Sequence, residues 1–525
     1  MWAVLILLSL IVYLLHKCFS KTPKPSWWKD HGIPEIDPST SSSLFDIVFG
    51  NKSMNDRDDY TYNNMGSNKF CGVIESPTPI IFLKDLDLIK NVLIKDFDHF
   101  TDRRHPFPIA DKTAVFSKNL GDLQGDEWKN VRQSVSPTFT TGKMRKMMEH
   151  FNSVGQEWIE MLQSKAKESS TGAAIIDANS CINQYTIEVI ANAVFGMNTG
   201  TIQNPNSIFA QKAARIANMD KITDMIKMNL SPRYPKIFTM LGIEMFDKEG
   251  IQFFTNILRQ SLEARLKGEV IRNDFQQLLI DARKGVLKGI GSDELDIFEK
   301  DAEIKSSSIN KEKYLTDDII IAQSLVFFLA GLTGVSNTIA FAAYALALQP
   351  DIQERLREEV GKVVKEDGSV DYDDLTQLTY LDMVVCEVLR KFPGMFRLER
   401  VCEKDYHDTE SGLFVPKKGV VIIPVHSIHN DPKYYEYPEK FYPEHFTPEK
   451  KAERSPYAFQ AFGVGPRNCI GMRFALIESK AVIAKLVHYF RIEPTEKTPS
   501  PLQGRVMGAL PFIPADLELK LISLK

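Results

Sequence analysis

The longest apolar pattern in the chain runs from Ile319 to Pro350 without one charged side chain. Thr316 before Asp317 and Asp318 supplies an N-cap and an acidic first turn, and Pro350 stops the pattern where Asp351 opens an amphipathic one. This punctuation predicts one long helix followed at once by another. By hydropathy the first could cross a membrane, but Ser324, Thr333, Ser336, Asn337 and Thr338 interrupt it, which favours a helix buried in the centre of a globular fold. A second apolar pattern, Met472 to Leu486, predicts a helix that starts just after a glycine-rich turn. β-Branched and aromatic residues from Gly72 to Phe82, broken by Pro77 and Pro79, predict short strands, and Asp85 to Ile94 reads as helical. Asn183 to Met240 is rich in isoleucine and methionine, as buried helices are, whereas Lys284 to Lys313 is charged and rich in glycine and serine and reads as a surface loop.

The first residues follow a different pattern. Met1 to Phe19 is apolar except for Ser9, His16 and Lys17, and the positive residues Lys17, Lys21, Lys24 and Lys29 follow it. A cleaved signal shows the reverse order, so the expectation is a retained anchor over residues 1–20, with residues 21–525 as the folded body held on the cytoplasmic side by its lysines. Trp27 and Trp28 suit either the membrane interface or packing against the body.

Composition changes little. The 43% hydrophobic and 25% charged residues describe an ordinary globular chain with material for a large core, and a net charge of -4 gives no sign of nucleic-acid binding. The cysteines, Cys18, Cys71, Cys181, Cys386, Cys402 and Cys469, are scattered without paired spacing, which argues against a zinc site or a disulfide framework.

One cysteine stands apart. Phe462 to Gly471 reads Phe-Gly-Val-Gly-Pro-Arg-Asn-Cys-Ile-Gly. Its glycines let the backbone turn sharply and approach something flat, and a thiolate just before a helix N-terminus is stabilised by the dipole, which lowers its pKa and suits it to bind metal. A structural cysteine in a tight turn is the plainer alternative. The decade resembles the haem-ligand signature Phe-x-x-Gly-x-Arg-x-Cys-x-Gly of the cytochrome P-450 superfamily, through Phe462, Gly465, Arg467, Cys469 and Gly471. That resemblance implies Cys469 as the axial thiolate of haem b iron, with Phe462 and Arg467 beside the cofactor.

Other segments extend the resemblance, which is closest to the animal family 3A enzymes. Trp128 and Arg132 have the Trp-x-x-x-Arg spacing, share a helical face and are implied to hold a haem propionate; Arg400 is implied to do the same, as is one of Arg103 and Arg104. Glu387 and Arg390 match a Glu-x-x-Arg lock, whose third member, usually arginine, is here His445, able to donate a single hydrogen bond without the guanidinium fork. The implied fold is mainly α with a smaller β-rich lobe, the cytochrome P-450 fold.

The pattern fails in the long apolar helix. Ala330-Gly331-Leu332-Thr333-Gly334-Val335-Ser336 stands where the family has an acid followed by threonine, the pair that relays protons to oxygen. Thr333, Gly334 and Ser336 therefore occupy an atypical oxygen-activation motif, and threonine at Gly334 is expected to overpack. Three functions follow. The expected one is a monooxygenase of the endoplasmic reticulum membrane, acting on a lipophilic small molecule with electrons from NADPH through cytochrome P-450 reductase, with cytochrome b5 as a further partner. Lys129, Lys143, Arg145 and Lys146 form a basic cluster for that reductase, or a solvated helix face. The others are an isomerase or lyase that rearranges a lipid peroxide without reductase, and a haem protein of low turnover.

Overall fold

A computed structural model describes residues 27–525 other than 42–45, 47–51, 76–77, 105–113, 218–222, 225–226, 228–229, 232–234, 271, 288–299, 303–313, 501–505, 508–509 and 512–516. The expected anchor and most of the charged loop lie outside the described residues. In chain order, the elements that position the site begin with the strands Phe70–Glu75 (β1) and Thr78–Leu83 (β2) and the helices Gly125–Val135 (α1) and Thr141–Glu168 (α2). Strand Ala173–Asp177 (β3) leads to the helices Ala178–Phe195 (α3), Lys248–Leu266 (α4), Phe275–Arg283 (α5), Asp317–Ala347 (α6) and Thr379–Lys391 (α7). Leu398–Val401 (β4), Val420–Ile423 (β5), helix Met472–Tyr489 (α8), Phe490–Pro494 (β6) and Glu518–Ser523 (β7) complete the set.

Two sheets frame the helices. The expected strands form a β1–β2 hairpin with Phe70 opposite Leu83; β2 pairs in parallel with β5, and β5 antiparallel with β4. A second, antiparallel sheet places β7 between β3 and β6. Apolar burial divides accordingly. One core joins the helices and the second sheet, and a smaller one lies under the first sheet around Ile80, Ile81, Leu93 and Val421. The cysteine loop straddles them, since Val464 belongs to the small core while Phe462 and Ile470 pack on the large one. The fold is thus mainly α with a smaller β-rich lobe.

Helix α6 begins as its sequence requires. The Thr316 hydroxyl accepts from the Ile319 N–H at 3.4 Å, and first-turn Asp317 and Asp318 pair with Arg283 and Lys118. It ends at Ala347, and Pro350 occupies the first turn of Pro350–Val360. Although long and apolar enough to cross a bilayer, it is packed by α3, α4 and α8. A Cβ on Gly331 would come within 2.6 Å of Ile190 Cδ1, so glycine is what allows α3 to lie so close. Residues 85–94 are helical as expected, with Asp85 as N-cap, but the last turn widens to a π turn over Asn91–Lys95. Trp28 is fully buried against Gly72, where a Cβ would lie 2.3 Å from the indole; packing against the body, not a membrane interface, accounts for it.

Candidate active site

The cysteine loop is held by backbone chemistry. Gly463 and Gly465 have positive φ (71° and 74°), and a Cβ at Gly465 would meet the Leu93 carbonyl oxygen at 2.1 Å, so that position takes glycine alone. The Cys469 N–H donates to Phe462 O at 2.8 Å, closing the loop just before α8 starts at Met472. The thiol opens onto an internal cavity of about 450 Å³. Cys71, Cys181 and Cys402 are buried elsewhere and Cys386 is half-buried, so among the described cysteines only Cys469 reaches this space. Phe462, Trp128, Arg132 and Arg467 line it too, and so do Ala330, Thr333 and Gly334 of α6.

The thiol does not follow the expected shift. Burial raises its pKa, and the Gly471 N–H and the charges of Arg132 and Arg103 only oppose that rise. Desolvation outweighs the helix-end donor and the two charges, so the free thiol is not the low-pKa group that its place before a helix predicts.

Arg103, Arg132 and Arg467 line the cavity, and the buried Arg400 lies near Arg103 and Arg467 without lining it. Arg132 donates to Asn468 O and Oδ1 at 2.9 and 2.6 Å, and Arg467 to Thr101 O and Leu123 O, each at 2.9 Å. Arg103 donates to Arg467 O at 2.6 Å, and Arg400 to Glu399 O at 2.8 Å, while buried Arg400 Nε has no partner. Asp102, 3.5 Å from Arg467, is the one carboxylate at ion-pair distance among the described residues. Burial and mutual repulsion push these cations down, Arg132 to about 10 and Arg467 to about 8. Guanidinium keeps its proton in proteins, so the cluster is in effect an excess of buried positive charge that calls for an anion. Arg467 also stacks 3.9 Å over the Trp128 ring. Of the two adjacent arginines, Arg103 lines the cavity, whereas Arg104 forks onto Glu399. Sequence reasoning gave no role to Asp102 or Asn468, which no spacing marks as partners of residues far away in the chain.

The lock is assembled. Arg390 donates through Nε and Nη2 to both oxygens of Glu387 at 2.8 and 2.7 Å, and both side chains are fully buried. The Tyr442 N–H adds a bond at 2.8 Å, and His445 Nδ1 lies 3.1 Å from Glu387 Oε2. Burial acts to raise the Glu387 pKa, but the Arg390 and His445 hydrogen bonds prevail and lower it. His445 Nε2 faces the Glu436 carbonyl, so each ring nitrogen points at an oxygen acceptor. The histidine thereby joins Glu387 to the Glu436 carbonyl through its two ring nitrogens, a second contact that the single hydrogen bond read from sequence did not include.

His429 is also buried. It accepts from the Gln460 N–H at 2.9 Å through Nε2, lies 3.1 Å from Arg390 O through Nδ1 and is neutral, its pKa lowered by burial to about 3. The unfolded chain takes up this proton near pH 6.5. The stabilisation is therefore whole above that value and lost as pH falls toward 3, by about 1.4 kcal/mol per pH unit. Denaturant midpoints measured between pH 7.5 and 5 should fall less steeply in His429→Asn than in the parent.

Helix α6 departs from expectation at two positions. Ser336 does not line the cavity; its hydroxyl donates to Asn183 Oδ1 of α3 at 2.7 Å. Two residues further on, Thr338 does line it. At Gly334 a Cβ would meet no protein atom within 4 Å, so the first carbon of a side chain there has room.

A helical body, a cavity onto which one cysteine opens, and three lining arginines with a single carboxylate at ion-pair distance among the described residues make a pocket suited to an anionic group. The family model for cytochrome P450 matches residues 44–519. Cytochrome P450 3A41 of Mus musculus is 33% identical over 508 residues, covering 96% of this chain and 94% of its own. Cytochrome P450 3A2 of Rattus norvegicus is 34% identical over 501 residues (95% and 92%), and cytochrome P450 9e2 of Blattella germanica 33% over 513 (94% and 92%). The chain belongs to the cytochrome P450 family. It is accordingly an oxidoreductase, a haem-thiolate monooxygenase whose cofactor is haem b. The observed residues fit that cofactor, because two propionates would neutralise the arginine cluster and offer an acceptor to Arg400 Nε.

Proposed function

We propose that the protein inserts one oxygen atom from O2 into a lipophilic small molecule, with electrons from NADPH delivered by cytochrome P-450 reductase and cytochrome b5 as a second donor. The carrying observation is that Cys469, alone among the described cysteines, faces a cavity walled by buried arginines and by the uncharged face of α6. Cys469 is the thiolate ligand; Trp128, Arg132, Arg400, Arg467 and also Arg103 hold the propionates; Phe462 packs beside the ligand. When bound, haem supplies the redox-active iron at which O2 is activated. Glu387, Arg390 and His445 fix the scaffold behind the cysteine loop, and the apolar cavity wall excludes bulk water from the reacting carbon.

The reductase docks on the basic face around Lys129, Lys143, Arg145 and Lys146. Asp98 bonds Lys129 at 2.9 Å and Asp373 pairs with Arg145 at 2.5 Å, so an acidic partner competes with these carboxylates. The body faces the cytoplasm from an anchor in the endoplasmic reticulum membrane formed by residues 1–20, with residues 21–525 as one haem domain.

Purified protein with reductase and NADPH is expected to take up O2 and form product in the presence of lipophilic compounds. Turnover of a lipid hydroperoxide alone, with no NADPH oxidation under any condition, would replace this reading by a peroxide isomerase.

A further inference from the structure

The wall of the cavity formed by α6 has oxygen atoms but no available polar hydrogen. Its lining residues are apolar apart from Thr333 and Thr338. The Thr333 hydroxyl donates to Leu329 O at 3.0 Å and the Thr338 hydroxyl to Gly334 O at 2.9 Å, so both protons are used within the helix. Ser336 has turned to Asn183, and Gln323 is occupied by the Leu120 N–H and Lys118 O. No carboxylate lines the cavity among the described residues. The remaining charged donors are the arginines of the propionate cluster, which serve as fixed charges and not as proton relays. A hydroxyl that donates to a main-chain carbonyl keeps its lone pairs, and Thr333 is exposed to the cavity, so it presents an acceptor there. Beside it Gly334 leaves open space.

We infer that the substrate is a lipophilic alcohol whose own hydroxyl occupies the space over Gly334, held by the Thr333 oxygen, and supplies the proton-passing group that the helix lacks. This inference rests on the monooxygenase reading. The overall reaction takes O2, two electrons from NADPH and two protons; one oxygen forms the new C–OH bond and the other leaves as water. The substrate hydroxyl gives a proton to the departing oxygen and regains one from solvent, so it is not consumed. A pure hydrocarbon or a ketone offers no such hydrogen, and the acceptor at Thr333 would be left without a partner by it.

The test uses matched probes: steroid alcohols with the hydroxyl at several positions around the skeleton, their deoxy counterparts, and a long-chain alcohol with its alkane. Calorimetric affinity on the haem-loaded protein is expected to favour the best alcohol about 3- to 10-fold over its deoxy partner. Thr333→Val should erase that preference, and Thr333→Ser should keep it. With reductase, product per NADPH should be several-fold higher for that alcohol. Gly334→Thr should weaken binding of the alcohol and raise coupling for the deoxy compound, because the added hydroxyl takes the same place. If no alcohol exceeds its deoxy partner in affinity or in coupling, the inference is overturned. An absence of reductase-dependent O2 uptake with every probe would remove the monooxygenase reading instead, while the affinity comparison still decides the substrate class.

Discussion

Cys469→Ser is expected to abolish the red-shifted carbonyl absorption of thiolate-ligated reduced haem and to reduce product formation to background. An alcohol at this position has a far higher pKa than a thiol and does not donate charge to iron as thiolate does. The loop should survive the change, since its geometry depends on Gly463, Gly465 and the Cys469 main-chain bond to Phe462 O, none of which involves the side chain. Haem content, measured as the pyridine complex, should therefore fall less than the carbonyl band. A mutant that retains the band in full would remove Cys469 from the site.

The second large effect is expected at the lock. Glu387→Ala leaves Arg390 fully buried with three carbonyl partners, those of His429, Pro438 and Lys440, and no counter-charge. It also strips acceptors from the Tyr442 N–H and from His445. Removing one partner of a buried pair costs about 3–5 kcal/mol, against a total stability of about 5–15 kcal/mol for a folded domain. Little haem-loaded protein should accumulate at 37 °C, and the thermal midpoint of what does should drop by several degrees. Glu387→Gln keeps the shape and some of the hydrogen bonds, so it should fall between parent and alanine. Equal stability of all three would show that the network is not what holds the loop behind Cys469.

Local signals carried much of this architecture. Thr316 and Pro350 mark the ends of the long helix because caps and prolines act through neighbouring backbone groups, and the turn before α8 is visible because Gly465 has no alternative. The Glu387–Arg390 pair is legible for the same reason, as three residues along a helix bring side chains together.

What sequence did not show was direction. Helix α6 is apolar on nearly every side, so its pattern has no polar stripe to reveal which residues face the cavity. Resemblance to the family motif places Ser336 at the oxygen site, whereas its hydroxyl turns to Asn183 on another helix and does not line the cavity. The choice between Arg103 and Arg104 depends on Glu399, nearly 300 positions away, and the raised thiol pKa depends on burial, which no motif encodes. The second contact of His445, to the carbonyl of Glu436, is invisible in the sequence because a main-chain oxygen bears no residue mark.

The arginine cluster bears on how the cell makes this protein. Three buried arginines and the half-buried Arg103 share one carboxylate at ion-pair distance among the described residues, and until an anion arrives their repulsion works against the finished fold. Anything that binds only the folded chain shifts the folding equilibrium by mass action. More mature protein is therefore expected from cells supplied with a haem precursor than from haem-starved ones, an effect on abundance that precedes any question of catalysis.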